Sequence, residues 1–131
     1  MSGGAPLEVG PITVTDIVRF AGAGGDFNPL HHDEAAARAA GFPGLIAMGQ
    51  MQAGMLARVL TDGFPLAEIR DYRVRFVAPV RVGDRLTLAI EEDEVEESAG
   101  IATHHLRLTA TRDDDVVAVR GKAIVERRLG T

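Results

Sequence analysis

The hydrophobic period of this chain changes once, near Glu68, and that change constrains the fold more than any other feature. Before it, apolar residues recur at spacings of three and four; after it, they alternate. Thr15-Asp16 reads as the start of a first helix, with Thr15 as N-cap and an acid in the first turn. Ile17, Val18, Phe20 and Ala21 supply its stripe, and the run Gly22 to Gly25 ends it. Asp33-Glu34 opens a second, short, alanine-rich helix closed by Gly41, with Pro43 beyond. A longer helix is predicted from about Gly49 to Thr61, its stripe formed by Met51, Met55, Leu56, Val59 and Leu60. Gly54 interrupts it at a cost of about 1 kcal/mol relative to Ala, which implies that another backbone or a ligand comes close there.

From Glu68 onward, Ile69 to Val77, Arg85 to Val95, Ile101 to Arg112 and Val116 to Arg127 read as four long strands. Their joints are Pro79 to Asp84, Glu96 to Gly100 and Asp113 to Asp115. A short extended piece, Leu7 to Val14, precedes the first helix and is interrupted at Gly10-Pro11, which suits a sheet edge. Helices followed by an antiparallel meander predict an α+β protein whose sheet packs one face against the long helix. The 131 residues, 1–131, fit a single domain. A domain of this size buries only roughly 68% of its unfolded surface, so an exposed sheet edge invites pairing with another subunit.

Composition excludes several kinds of chemistry. With no Cys, the chain has no disulfide, no thiolate ligand for zinc or an iron–sulfur cluster, and no thiol nucleophile. No apolar run approaches the roughly 20 residues that cross a bilayer, so no membrane partner is expected. Met1-Ser2-Gly3-Gly4-Ala5-Pro6 lacks the basic and apolar regions of a signal peptide, and a cytoplasmic protein is the expectation. The net charge of −5 argues against nucleic-acid binding. That charge is uneven. Arg70, Arg73, Arg75, Arg81 and Arg85 outnumber Asp71 and Asp84, while Glu91, Glu92, Asp93, Glu94, Glu96 and Glu97 follow almost without interruption. Solvated faces account for both runs; a basic strand that meets an anionic ligand is the alternative reading of the first.

The densest polar cluster is Gly24-Gly25-Asp26-Phe27-Asn28-Pro29-Leu30-His31. Pro29 lacks an N–H and restricts Asn28, so the segment is no regular helix, and Asp26 and His31 lie on one loop. A carboxylate and an imidazole held there can share a water and exchange protons at cell pH. A loop built on an Asx-turn at Asp26, with a surface His, would use the same residue types. The contiguous His31, His32 and Asp33 match no usual zinc spacing, and no metal is expected. Ile46-Ala47-Met48-Gly49-Gln50 opens the long helix without a Ser, Thr, Asp or Asn to cap it. Free N–H groups beside Gly49 suit a carbonyl oxygen that gains negative charge, although main chain or water could satisfy them instead. His104 and His105 alternate on a strand, one toward the core and one toward the surface.

Gly25 to His31, followed eighteen residues after His31 by Gly49 at the head of an apolar helix, closely resembles the hydratase motif of the MaoC-like hydratase/dehydratase family. Thr15 to Ala21, Tyr72 to Val80 and Val82-Gly83-Asp84 are similar to the flanking helix, strand and turn, so the resemblance covers roughly residues 13 to 90. It implies a hot-dog fold, an antiparallel sheet wrapped around a long central helix, with subunits joined through sheet edges as a homodimer or as a heterodimer with another hot-dog subunit. It further implies that Asp26 and His31 activate water for addition to a trans-2-enoyl thioester, that the Gly49 amide polarises the thioester carbonyl, and that Asn28 shapes the loop. Met48 and Ala57 depart from the His and Ser of many relatives and bear on the surroundings of the dyad and the acyl pocket. Asn28, Met48 and Met51 are candidate contacts to substrate, as are Arg73 and Arg75, which share a strand face and suit the phosphates of coenzyme A or phosphopantetheine. No cofactor is implied beyond that carrier. A thioesterase of the same fold and a subunit with little activity alone are the rival readings.

Overall fold

The computed structural model describes residues 5–130, so the reading of Met1-Ser2-Gly3-Gly4 as no leader lies outside the described residues. Five strands form one antiparallel sheet: β1 (Leu7–Val9), β2 (Glu68–Phe76), β3 (Leu86–Ser98), β4 (Ile101–Arg112) and β5 (Val117–Arg128). Among the described residues three α-helices accompany it: α1 (Val14–Gly24), α2 (Glu34–Ala39) and α3 (Gly49–Gly63). The sheet order is β1-β3-β4-β5-β2. Only β3, β4 and β5 form the expected meander. β2 does not pair with its successor β3 but lies at the far edge against β5. The reason is the Pro79–Asp84 joint, which is longer and more proline-broken than a hairpin turn. It crosses the end of the sheet instead, with Val77 N–H donating to Ala118 O at 2.8 Å, Ala47 N–H to Val80 O at 2.7 Å and Gly83 N–H to Ile12 O at 2.7 Å.

Strand alternation builds the core. On β4 the residues Ala102, His104, Leu106, Leu108, Ala110 and Arg112 are buried, and their neighbours face outward. α3 lies across β3 and β4, with Leu56 and Leu60 fully buried between helix and sheet. The Tyr72 hydroxyl, on β2, donates to the carbonyl of Ala53 on α3, and burial pushes its phenol above the ordinary value. The sheet curls round α3 as a hot-dog fold. His104 is buried against Phe64 with Nδ1 3.1 Å from Glu92 Oε2, whereas His105 is half-buried on the other face.

Two local expectations change. The N-cap of α1 is Thr13, not Thr15. Thr13 Oγ1 accepts from Asp16 N–H at 3.1 Å and Asp16 Oδ2 accepts from Thr13 N–H at 2.9 Å, a reciprocal box that requires the acid at the third helical position. These bonds to the charged form hold the Asp16 carboxyl below its ordinary value. Nor does any backbone among the described residues cross close to Gly54: a Cβ there would meet none of their atoms within 4 Å. Gly54 faces an apolar groove of about 450 Å³ between α3 and β1.

Candidate active site

The loop after α1 is built from short-range hydrogen bonds that its sequence encodes. Gly25 ends the helix at φ 70°, a left-handed conformation that favours glycine, and the next amide, Asp26 N–H, donates to Ala21 O at 2.9 Å. Asp26 Oδ1 accepts from Asn28 N–H at 3.2 Å, and Asn28 Oδ1 accepts from Leu30 N–H at 3.1 Å. Two consecutive Asx-type turns thus lead into a single 3-10 turn, Pro29–His31, that Asn28 caps. This turn delivers His31 to the interior while Asp26 remains partly open, their side chains 8% and 42% exposed.

The imidazole is oriented by its surroundings. Its Nδ1 lies 2.8 Å from Ile46 O. A carbonyl can only accept, so Nδ1 carries the proton and, in the neutral ring, Nε2 presents its lone pair. Nε2 faces Asp26 Oδ2 at 3.4 Å. That distance exceeds a good N–H···O contact, and two acceptors facing each other across it are suited to a water that donates to both.

The opposite wall is the N-terminus of α3. Met48 is its N-cap and supplies no side-chain acceptor. Among the described residues the N–H groups of Gly49 and Gln50 meet no backbone or side-chain acceptor. The amide end of buried Gln52 lies 2.7 and 3.0 Å from the carbonyls of Met48 and Gly49; these acceptors assign its nitrogen to that side, and the two bonds it then donates tie down the first turn without covering its N–H groups. The half-exposed Phe76 ring closes the side: a Cβ on Gly49 would lie 2.7 Å from it, so any side chain here would have to displace the ring. Asp26, His31, Met48, Gly49, Gln52 and Phe76 line one cleft of about 460 Å³.

Ion pairs anchor the rim. Arg112, almost fully buried, donates to Pro79 O at 2.9 Å and grips Asp114 through Nε and Nη2 at 2.9 and 2.6 Å. Arg81 spans Asp84 and Asp114 at 3.0 and 3.4 Å. The Arg112 guanidinium lowers the Asp114 carboxyl to about 2. Hydrogen bonds to Asp84 and Asp114 respectively raise Arg81 and Arg112 above the ordinary arginine value.

Of the residues expected to meet substrate, Asp26, His31, Gly49 and Met48 share this cleft. Asn28 does not line it; its side chain is spent capping the turn that presents His31. Met51 does not line it either. The 100° turn between successive helical residues puts Met51 on the α3 face toward Phe20 and Leu88, in the groove beside Gly54. Arg73 and Arg75 project from the opposite face of the sheet, because Tyr72 and Val74 pack inward on β2 and the half-exposed Phe76 turns to the cleft. Part of the basic surplus of this segment is also internally paired, Arg73 with Asp71 at 3.0 Å and Arg81 with Asp84 at 3.0 Å. Gln52 and Phe76 were not anticipated. A polar residue one turn into an apolar helix was the available signal for Gln52; nothing local marks Phe76.

Fold and site together define a hot-dog protein with an acid–imidazole pair facing an uncapped helix N-terminus. Residues 5–113 match the MaoC like domain family. The (R)-specific enoyl-CoA hydratase of Rhodospirillum rubrum is 32% identical over 117 residues, covering 88% of this chain and 75% of that protein. A mitochondrial 3-hydroxyacyl-[acyl-carrier-protein] dehydratase of Arabidopsis thaliana is 31% identical over 83 residues, 63% of this chain; the match spans only 50% of that relative's length. Among solved structures, the (R)-hydratase from A. caviae superposes with a TM-score of 0.82 at 30% identity, covering 96% of this chain and 93% of that one. The chain belongs to the MaoC-like family.

Proposed function

We propose that this protein adds water across the 2,3 double bond of a trans-2-enoyl thioester to give the (R)-3-hydroxyacyl thioester, or runs the reverse dehydration. The observation that carries this reading is the pairing of His31 Nε2 with Asp26 Oδ2 in the same cleft as the unengaged Gly49 N–H. The names of the hydratase and dehydratase relatives support it. The thioester carbonyl accepts from Gly49 N–H, and a water donates to Asp26 Oδ2 and His31 Nε2. The water oxygen bonds to C3 while its proton passes to Nε2; the C2–C3 π electrons move toward the thioester oxygen. The imidazolium is held by the Ile46 carbonyl on one side and the Asp26 carboxylate on the other. It then returns a proton to C2, which completes the addition of H and OH and restores both side chains. The carrier is coenzyme A or an acyl-carrier phosphopantetheine, and the scheme needs no further cofactor.

Asp26→Asn and His31→Ala should each lower turnover of crotonyl-CoA by about 10²–10⁴-fold, the usual contribution of a positioned acid or base, with the folded state retained in circular dichroism. Loss of enoyl absorbance without thiol release identifies hydration. Thiol release would instead favour a thioesterase, and wild-type rates in both variants would sink the mechanism.

We also propose that subunits associate through β2, whose outer edge has no partner strand among the described residues. A second copy, or another hot-dog chain, pairing there would continue the sheet beside Phe76 and the cleft.

A further inference from the structure

The face of the sheet turned away from α3 carries a second constellation. Arg107 on β4, Lys122 on β5 and Arg73 on β2 are direct cross-strand partners, and Arg120 and Arg75 pair on the neighbouring outward rung. Three cation–cation pairs therefore stand directly opposite one another, an arrangement that destabilises a sheet. Flanking acids hold two of the five: Arg107 meets Asp93 at 2.6 Å and Glu91 at 2.9 Å, and Arg73 meets Asp71 at 3.0 Å. Arg75, Arg120 and Lys122 have no carboxylate partner among the described residues, and all three are exposed. The five side chains and Thr109 border a groove of about 420 Å³, within the range of small-ligand sites.

We propose that this groove binds a small ligand bearing two or more phosphate groups. Strand spacing confines the five cations to a patch about 10 Å by about 7 Å, the scale of a diphosphate or bisphosphate. Arginine forks match phosphate oxygens and fix their orientation. An extended polyanion fits poorly, because Glu91, Asp93, Asp71 and Glu126 border the patch on the same face and would repel it. The ligand is either the nucleotide portion of a substrate carrier or a separate phosphorylated molecule. Both share the chemistry; binding at the groove stands apart from the proposed hydration because it lies on the other side of the sheet from Asp26 and His31, and only its assignment to the carrier rests on that reading.

Calorimetric titration of the full chain at low salt with adenosine 3′,5′-bisphosphate and with inorganic tripolyphosphate tests it. At least one probe should bind in a 1:1 ratio, with affinity reduced about tenfold or more, or roughly 1.4 kcal/mol, when Arg120→Ser is combined with Lys122→Ser. Arg58→Ser, on the exposed side of α3, should leave binding unchanged, as should Asp26→Asn. Failure of both probes to bind the wild type, or equal affinity in the double variant, overturns the proposal. The source follows from kinetics of the double variant. A raised KM for crotonyl-CoA with an unchanged KM for crotonyl-N-acetylcysteamine assigns the groove to the carrier's nucleotide; unchanged values for both assign it to a separate phosphorylated ligand.

Discussion

Ile46 O decides which nitrogen of His31 is free to act. Because that carbonyl accepts a hydrogen bond from Nδ1–H at 2.8 Å, the imidazole meets Asp26 as an acceptor and can receive a proton from a water that bridges them. Asn28 contributes indirectly: it fills Asp26 Oδ1 through its own N–H and caps the turn under His31, leaving Oδ2 for the cleft. On the other wall, Gly49 is needed both as a donor and for its missing side chain. Gly49→Ala would set a methyl against the Phe76 ring, so that the ring is pushed across the cleft or the donor is pushed back, and kcat/KM should fall by up to about 10²-fold, the limit set by loss of an oxyanion contact. Steady-state kinetics on crotonyl-CoA check this. Adding Phe76→Leu should recover part of the rate, and an undisturbed single variant would refute the steric wall.

Among the elements, the β4–β5 turn does more for the site than its exposed sequence suggests. Asp114 holds Arg112, and Arg112 holds the Pro79 carbonyl on the cleft rim. The Asp114 carboxyl is depressed from 3.8 to about 2, so its folded-state pKa lies below its unfolded value. Its contribution to stability is therefore present above pH 4 or so and disappears as the pH falls through about 2. Asp114→Asn should lower the melting temperature at pH 6, with the gap to wild type closing as the pH approaches 2. Differential scanning calorimetry across that window measures it; a gap independent of pH would mean that the ion pair is not its source. The α1 cap follows similar short-range rules. Thr13 and Asp16 satisfy each other's backbone amides at a spacing of three, and that reciprocity outweighs the simpler choice of Thr15 beside the acid.

For the whole molecule, the crossover of β2 to the far side of the sheet has the largest consequence. It leaves β2 as a free edge and carries Phe76 from that edge to Gly49, so a subunit joined there would border the cleft. Light scattering should return the mass of a dimer. Val74→Pro, which removes an N–H and disrupts the edge, should shift the protein toward monomer and reduce turnover; a monomeric wild type with full activity would overturn the edge-joined arrangement. If the partner is an unlike chain, the isolated protein stays monomeric and regains activity only when the two are mixed.

The amino-acid sequence by itself determined what depends on near neighbours. The period change at Glu68 marked the helices and strands, and alternation assigned His104 and His105 to opposite faces. The Gly25–His31 loop was legible because its turns are made by residues two or three apart, and the absence of a cap before Gly49 could be seen directly. Strand partners were not legible, since the Pro79–Asp84 joint disfavours a hairpin with β3 but nothing local names β5, about forty residues away, as the partner of β2. The same limit applied to side-chain company. Alternation sets Arg73 and Arg75 on one face, but only the folded sheet turns that face away from the dyad and gathers Arg107, Arg120 and Lys122 beside them. Local hydrogen bonds are encoded within a few residues; which surfaces meet is decided by burying every apolar face at once, and that sum exists only in the folded chain.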